Sequence, residues 1–193
     1  MAHVEPTAHR LTFLCHAATR AVRESAFADD EPLDGPGERA AKAFTQLVRA
    51  DRVRCAPSLC CRQTADALGL DVRIDEELRS ADYGRWRGMD LVEVEATERE
   101  ALLRWLTDPT SAPHGGESVV RLISRVGAWL DGLRPKPRRT LVIADASVIR
   151  AAVVHAIVAK PETFWRIDIP PLSQTTLSGS AGRWRLRLGS TER

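Results

Sequence analysis

Residues 11 to 19 read Leu-Thr-Phe-Leu-Cys-His-Ala-Ala-Thr. An apolar, β-prone run that breaks off at Cys15-His16 predicts a buried strand opening into a turn that carries a histidine. In an open α/β sheet, ligands bind beyond the carboxyl end of such a strand. His16 is therefore the point around which the chain has to be organised.

The rest of the chain supplies the elements such a sheet needs. Strands are predicted at Leu11–Cys15, Val53–Ala56, Val72–Ile74 and Thr140–Ala144, the last apolar enough for a central position. Between them run a short helical or irregular passage over Ala17–Phe27, a turn-rich loop from Asp29 to Gly37, and a helix from about Gly37 to Ala50 with Ala40, Phe44, Leu47 and Val48 on one face. Ser58 is placed to cap a helix that Gly69 ends. Glu76 to Met89 reads as irregular and Leu91 to Leu106 as helical. After the loop at His114-Gly-Gly-Glu-Ser118 comes an apolar stripe of Val119, Leu122, Ile123, Val126, Trp129, Leu130 and Leu133, stopped by Pro135 and Pro137. Val148 to Val158 is apolar nearly all round and predicts a buried helix. Ser173–Ser178 and Trp184–Leu188 predict a hairpin around Ala181-Gly182. The alternation predicts an α/β fold, a three-layer α/β/α sandwich on a mostly parallel sheet with an antiparallel edge.

No second-domain boundary interrupts residues 1–193, and residues 1–10 read as a loose polar arm without the apolar stretch of a signal peptide. No run reaches the roughly 18–20 apolar residues of a membrane span. A net charge of +2, with arginines scattered rather than clustered beside aromatics, gives no nucleic-acid groove. The expectation is a cytoplasmic protein whose partner is a small ligand or a metal ion; a homodimer is left open. The cysteines, at 15, 55, 60 and 61, form neither a CxxC pair nor a disulfide framework.

Five motifs, in order along residues 10–190, resemble those of the histidine phosphatase superfamily, the phosphoglycerate-mutase-like fold. Cys15-His16-Ala17-Ala18-Thr19 is similar to Arg-His-Gly-x-Thr. The stretch Ala56 to Ala65 resembles Ser-Pro-Leu-x-Arg-Ala-x-x-Thr-Ala. Leu78-Arg79-Ser80 through Tyr83-Gly84-Arg85-Trp86-Arg87-Gly88 resembles Leu-Arg-Glu-x-x-Phe-Gly-x-Trp-x-Gly. Gly115-Gly116-Glu117-Ser118 matches Gly-Gly-Glu-Ser, and Ile143 to Arg150 resembles Val-Ser-His-Gly-x-Val-Ile-Arg. The resemblance implies that fold, and a pocket where one histidine accepts a phosphoryl group held by two arginines and a second histidine.

Set against that pattern, only the nucleophile remains, as His16. Cys15 and Cys60 stand where the arginines would be, Asp145 where the second histidine would be, Ser80 in place of the usual acid, and Ala17 in place of glycine. The pocket is poorer by about three positive charges, and unit charges about 4 Å apart interact by roughly 4 kcal/mol at an effective dielectric of 20. Since phosphoryl transfer depends on such clamping, ordinary phosphatase activity is expected to be weak or absent.

The replacements suggest other chemistry. Cys15, His16, Cys60 and Asp145 are donor types that suit a divalent transition metal, zinc, cobalt or nickel. Two alternatives stand beside it. One is a phosphomonoesterase or mutase-like hydrolase using His16, with Asp82 or Glu77 as acid. The other is a thiol-based redox protein or scaffold, in which Cys15 and Cys60 form a disulfide or Cys15 pairs with His16. Cys61 is expected in the core, Cys55 beside the second strand, His114 in an exposed loop, Glu117 at a helix start and His155 as a satisfied core histidine.

Overall fold

The computed structural model describes residues 9–47, 49–133, 139–180 and 182–188. The arm over residues 1–8, Val48, the helix-stopping Pro135 and Pro137, and Ala181 of the hairpin turn lie outside the described residues.

Six strands form one sheet: β1 (His9–Cys15), β2 (Arg52–Cys55), β3 (Arg73–Ile74), β4 (Arg139–Ala144), β5 (Gln174–Ser180) and β6 (Arg183–Arg187), in the order β3-β2-β4-β1-β5-β6. The β1–β4, β2–β4 and β2–β3 pairings are parallel, and β1–β5 and β5–β6 antiparallel. The two most apolar strands are central neighbours, with Leu14 opposite Ile143 and Cys15 opposite Ala144. Buried on both faces, they end at one level, which brings His16 and Asp145 side by side.

The helices are α1 (Arg20–Glu24), α2 (Gly35–Ala43), α3 (Leu59–Ala67), α4 (Leu91–Thr107), α5 (Val119–Asp131) and α6 (Ala146–Ala156). Helices α5 and α6 pack together, as do α2 and α3, completing the expected α/β architecture. Ser118 caps α5 by accepting from Arg121 N at 3.3 Å, and the apolar stripe behind it buries Leu122, Val126 and Leu130.

Several boundaries differ from the sequence reading. The helix expected to reach Ala50 ends at Ala43, because Phe44 turns to extended backbone (φ −77°, ψ 114°) and packs with Leu47 against the core instead of continuing the spiral. The buried helix begins at Ala146, two residues early: Asp145 caps it by accepting from Ser147 N at 2.7 Å. His114 is not exposed but 1% accessible, its ring 5.0 Å from that of Trp86 in a second core of Phe27, Trp86, Val94, Leu102 and Trp105. The glycines around it explain its burial. A Cβ on Gly84 would sit 2.2 Å from His114 O, and one on Gly116 2.0 Å from Asp82 O, so the two loops meet backbone to backbone. Among the described residues, no helix is long and apolar enough to cross a membrane.

Candidate functional site

The site is assembled from the ends of β1, β2 and β4. His16 N donates to Ala144 O at 3.2 Å, continuing the parallel ladder one residue past the strand. Ala17 N donates to Thr64 Oγ1 at 3.0 Å, and Thr64 Oγ1 donates to Cys60 O at 2.8 Å, tying the turn after β1 to the first turn of α3. That tie sets Cys60, the second residue of α3, against His16. Ser58 stands at the expected cap position without capping; its hydroxyl lies 3.6 Å from Cys60 Sγ, and Asp30 Oδ1 accepts from Leu59 N at 2.7 Å in its place.

His16 is 3% accessible, Cys60 7% and Cys15 2%. One imidazole nitrogen, Nδ1, lies 2.7 Å from Ala17 O, so it carries a proton and donates it. The other, Nε2, faces the carboxylate of Asp145 at 3.5 Å and the side chain of Cys60. Burial works against charge on the ring, but the Asp145 carboxylate and the Cys60 sulfur outweigh it and hold His16 protonated well above the usual imidazole range. Burial likewise opposes ionisation of Asp145, and His16 together with the Ser147 hydroxyl and N–H keeps it below the ordinary carboxylate range.

The four thiols are not alike. A hydrogen bond from Cys61, set against burial and reinforced by His16, pulls Cys60 down to about 5. Burial pushes Cys15 and Cys55 up to about 12, and Cys55 donates its S–H to Ala56 O at 3.2 Å. Burial and the neighbouring Cys60 raise Cys61 well above its ordinary value, in the core as expected. Cys60 is the one of the four shifted toward the anion, and its partner is His16, shifted toward the cation.

Cys15, His16, Cys60 and Asp145 border one cavity of about 1000 Å³. Among the described residues, however, no group of three or more His, Cys, Asp or Glu side chains is spaced to hold a metal ion. Cys15, held as a neutral thiol, is moreover a poor ligand until deprotonated. Asp82 borders the cavity as well, but the N–H of Gly84, ahead of Arg87, keeps its carboxylate ionised, the wrong state for an acid. Glu77 lies away from this cavity, on a second one lined by Arg52, Arg54, Arg73 and Arg125.

Four carboxylates that the sequence did not single out, Asp29, Asp30, Glu31 and Asp168, join Asp82 and Asp145 in setting the sign of the main cavity. Six carboxylates line it (Asp29, Asp30, Glu31, Asp82, Asp145 and Asp168) against three arginines, Arg79, Arg87 and Arg150. Arg87 is paired with Asp82 at 2.7 Å, and Arg150 Nε donates to Ile167 O at 2.8 Å. The turn-rich loop at Asp29–Glu31 carried no spacing that marked it as cavity wall, because its approach to α3 is set by tertiary contacts such as the Asp30–Leu59 bond.

Residues 11–191 match the family model of the histidine phosphatase superfamily (branch 1). Glucosyl-3-phosphoglycerate phosphatase of Mycobacterium tuberculosis is 32% identical over 139 residues, which cover 61% of this chain and 61% of that protein. Phosphoserine phosphatase 1 of Hydrogenobacter thermophilus is 26% identical over 146 residues, 70% of this chain and 69% of that one. Among solved structures, a mycobacterial glucosyl-3-phosphoglycerate phosphatase in complex with VO3 superposes with a TM-score of 0.79 at 27% identity, covering 93% of this chain and 98% of that one. The matched stretch thus spans only about three fifths of the first curated relatives, 61% of their length.

Proposed function

The chain belongs to the histidine phosphatase superfamily, and from that premise we propose that it keeps the family's cavity without its phosphoryl transfer and holds a small ligand that carries no phosphate. The observation that carries this reading is the Asp145 carboxylate 3.5 Å from His16 Nε2. To accept phosphorus, Nε2 must offer a lone pair, and cations must surround the arriving oxygens. Here Nε2 is protonated, and the groups nearest to it are a carboxylate and a thiolate. A dianionic phosphoryl group at that point meets two like charges, and the six carboxylates of the wall oppose its entry.

The competing reading is a phosphoester hydrolase acting through His16, favoured by relatives named as phosphatases. Turnover of p-nitrophenyl phosphate decides between them. We expect rates at background, unchanged in His16→Ala. A rate a hundredfold above that variant overturns the proposal.

A divalent transition metal on Cys15, His16, Cys60 and Asp145 is a second reading, supported by the placement of all four on one cavity. Elemental analysis of untagged protein, prepared without chelator and with thiols reduced, tests it. Near-stoichiometric zinc, cobalt or nickel that vanishes in the Cys15→Ser/Cys60→Ser variant establishes the metal, and metal-free protein ends that reading.

A further inference from the structure

On the reading that His16 accepts no phosphoryl group, we propose that Cys60, paired with His16, is the nucleophile of an acyl-transfer site for a small ester or thioester without anionic groups.

The geometry contains the parts such a step needs. Cys60 and His16 both border the cavity, and the Ala17 N–Thr64 Oγ1 and Thr64 Oγ1–Cys60 O hydrogen bonds, at 3.0 and 2.8 Å, tie the turn that carries His16 to the first turn of α3, which carries Cys60. His16 is oriented from behind by its 2.7 Å contact with Ala17 O, which leaves Nε2 as the only ring nitrogen available to the cavity. Asp145, at 3.5 Å, is the positioning residue that stabilises the charged ring. The N–H groups of Cys60 and Cys61 lie in the first turn of the nine-residue α3, where no helical carbonyl precedes them. That end of the helix favours negative charge, and because Cys60 sits in the same turn, an oxyanion formed on attack by its sulfur would develop beside these N–H groups. Of the remaining thiols, Cys55 is bonded to Ala56 O, Cys61 is fully buried, and Cys15, though on the same cavity, is 2% accessible and kept neutral by burial.

The wall selects the ligand. Phe27, Tyr83, Trp105 and Trp165 line one side of the cavity, and carboxylates outnumber arginines around the rest. Apolar and uncharged groups fit the aromatic side, and phosphates and carboxylates are repelled.

The chemistry balances without a further reactant beyond water. The Cys60 sulfur attacks the acyl carbon and a C–S bond forms. The bond from that carbon to the leaving oxygen or sulfur breaks, and the leaving group takes the proton from His16 Nε2. Water then adds to the thioester and gives its proton to Nε2. The C–S bond breaks, the carboxylic acid departs, and thiolate and imidazolium are restored.

The test is acylation with p-nitrophenyl acetate, followed by mass spectrometry of the intact chain and of its peptides. We expect a near-stoichiometric burst of p-nitrophenol and one acetyl group on Cys60, formed at least tenfold faster than on any cysteine of the urea-unfolded chain. Cys60→Ser loses burst and adduct. His16→Asn slows acylation by roughly a hundredfold or more. Cys55→Ser leaves both unchanged. The adduct on wild-type protein decides the matter even if a variant fails to fold. An adduct elsewhere, none at all, or one on Cys60 whose rate ignores His16→Asn overturns the proposal. Ester inertness with no phosphatase activity leaves the preceding reading intact, whereas His16-dependent turnover of p-nitrophenyl phosphate in the same preparation overturns both.

Discussion

Helix α6 begins at one histidine–aspartate pair and ends at another. Asp145, its cap, faces His16 at 3.5 Å, and His155, in its last turn, meets Asp131 at 3.0 Å. The residue types are the same and the consequences differ. Asp131 also accepts from Gly182 N at 2.8 Å and Trp184 Nε1 at 3.0 Å, so it fastens α5 and α6 to the β5–β6 hairpin. Its side chain and that of His155 are 35% and 29% accessible. The side chains of Asp145 and His16 are 16% and 4% accessible, and a third ionisable group, Cys60, completes their set. Water screens the first pair, which acts as a fastener. The second is screened far less and fixes the protonation of its neighbours, which makes it chemistry. Burial and the third partner separate the two roles.

The largest effect is expected from giving the inner pair the charges of the family pattern. The combined Cys15→Arg, Cys60→Arg and Asp145→His variant exchanges two cysteines and a carboxylate for two cations and an imidazole around His16 and removes the acceptor that keeps Nε2 protonated. Turnover of p-nitrophenyl phosphate should rise by roughly a hundredfold or more, the weight of one well-placed clamp donor or greater. No gain in a folded variant would mean that charge is not what silences this pocket. The single Asp145→Asn change tests the same point by NMR: the His16 titration should fall toward the ordinary imidazole range.

Next in size is the outer pair. Asp131→Ala leaves the Trp184 indole N–H, Gly182 N and His155 without their acceptor. The expected cost is about 2 kcal/mol in urea unfolding, with the His16 titration untouched. A shift of that titration would mean the two ends of α6 are coupled, and the contrast between them would fail.

Both pairs were only half visible in the chain. The elements that deliver them could be read: the apolar runs at Leu11–Cys15 and Thr140–Ala144 and the stripe from Val119 to Leu133 carry their own periodicity. The motifs around Gly84 and Gly116 survive because two backbones touch there, a steric demand that residue type records. The candidates His16, Cys60 and Asp145 came from alignment with a family pattern, and the cavity collects them. What could not be read was set by partners from other elements. Cys60 owes its downward shift to Cys61 and His16, and Cys15 its upward shift to burial, a difference between two thiols that residue type does not record. His114 looked like an exposed loop residue because the Trp86–Trp105 core around it is brought together from three segments.

A smaller effect distinguishes the inner pair by its pH dependence. Cys60 is depressed to about 5 and His16 is raised, against ordinary values of about 8.5 and 6.5. Between about pH 5 and 6.5 the unfolded chain holds protons on both groups and the folded chain only on His16, so stability from the pair rises with pH. From about 6.5 to 8.5 each state holds one proton, on the cysteine when unfolded and on His16 when folded, and the contribution is flat. Above about 8.5 the unfolded chain holds neither, so stability falls until His16 releases its proton. Each sloping limb is bounded by one proton, about 1.4 kcal/mol per pH unit. In Cys60→Ser the rise between pH 5 and 6.5 should disappear from the urea midpoints. A wild-type limb that persists in the variant belongs to other groups and removes Cys60 from the inner set.

The smallest effect is expected at the partner of the fastener. His155→Gln keeps an N–H within reach of Asp131 and leaves the Trp184 and Gly182 bonds in place, so the hairpin stays anchored. An exposed pair contributes about 0.2–1 kcal/mol, this half-buried one is expected near the upper end, and Gln should recover part of it. His155 has a second role that Gln does not reproduce. A Cβ on Gly127 would fall 2.3 Å from His155 Nδ1, so the ring occupies the space which that glycine of α5 leaves open. Pairing Gly127→Ala with His155→Gln separates the two roles. If the ring serves mainly as a spacer between α5 and α6, Gly127→Ala costs clearly more in the wild-type background than beside the flexible glutamine. Equal costs in both backgrounds would assign His155 to the ion pair alone, and with it the whole stabilising effect at that end of α6.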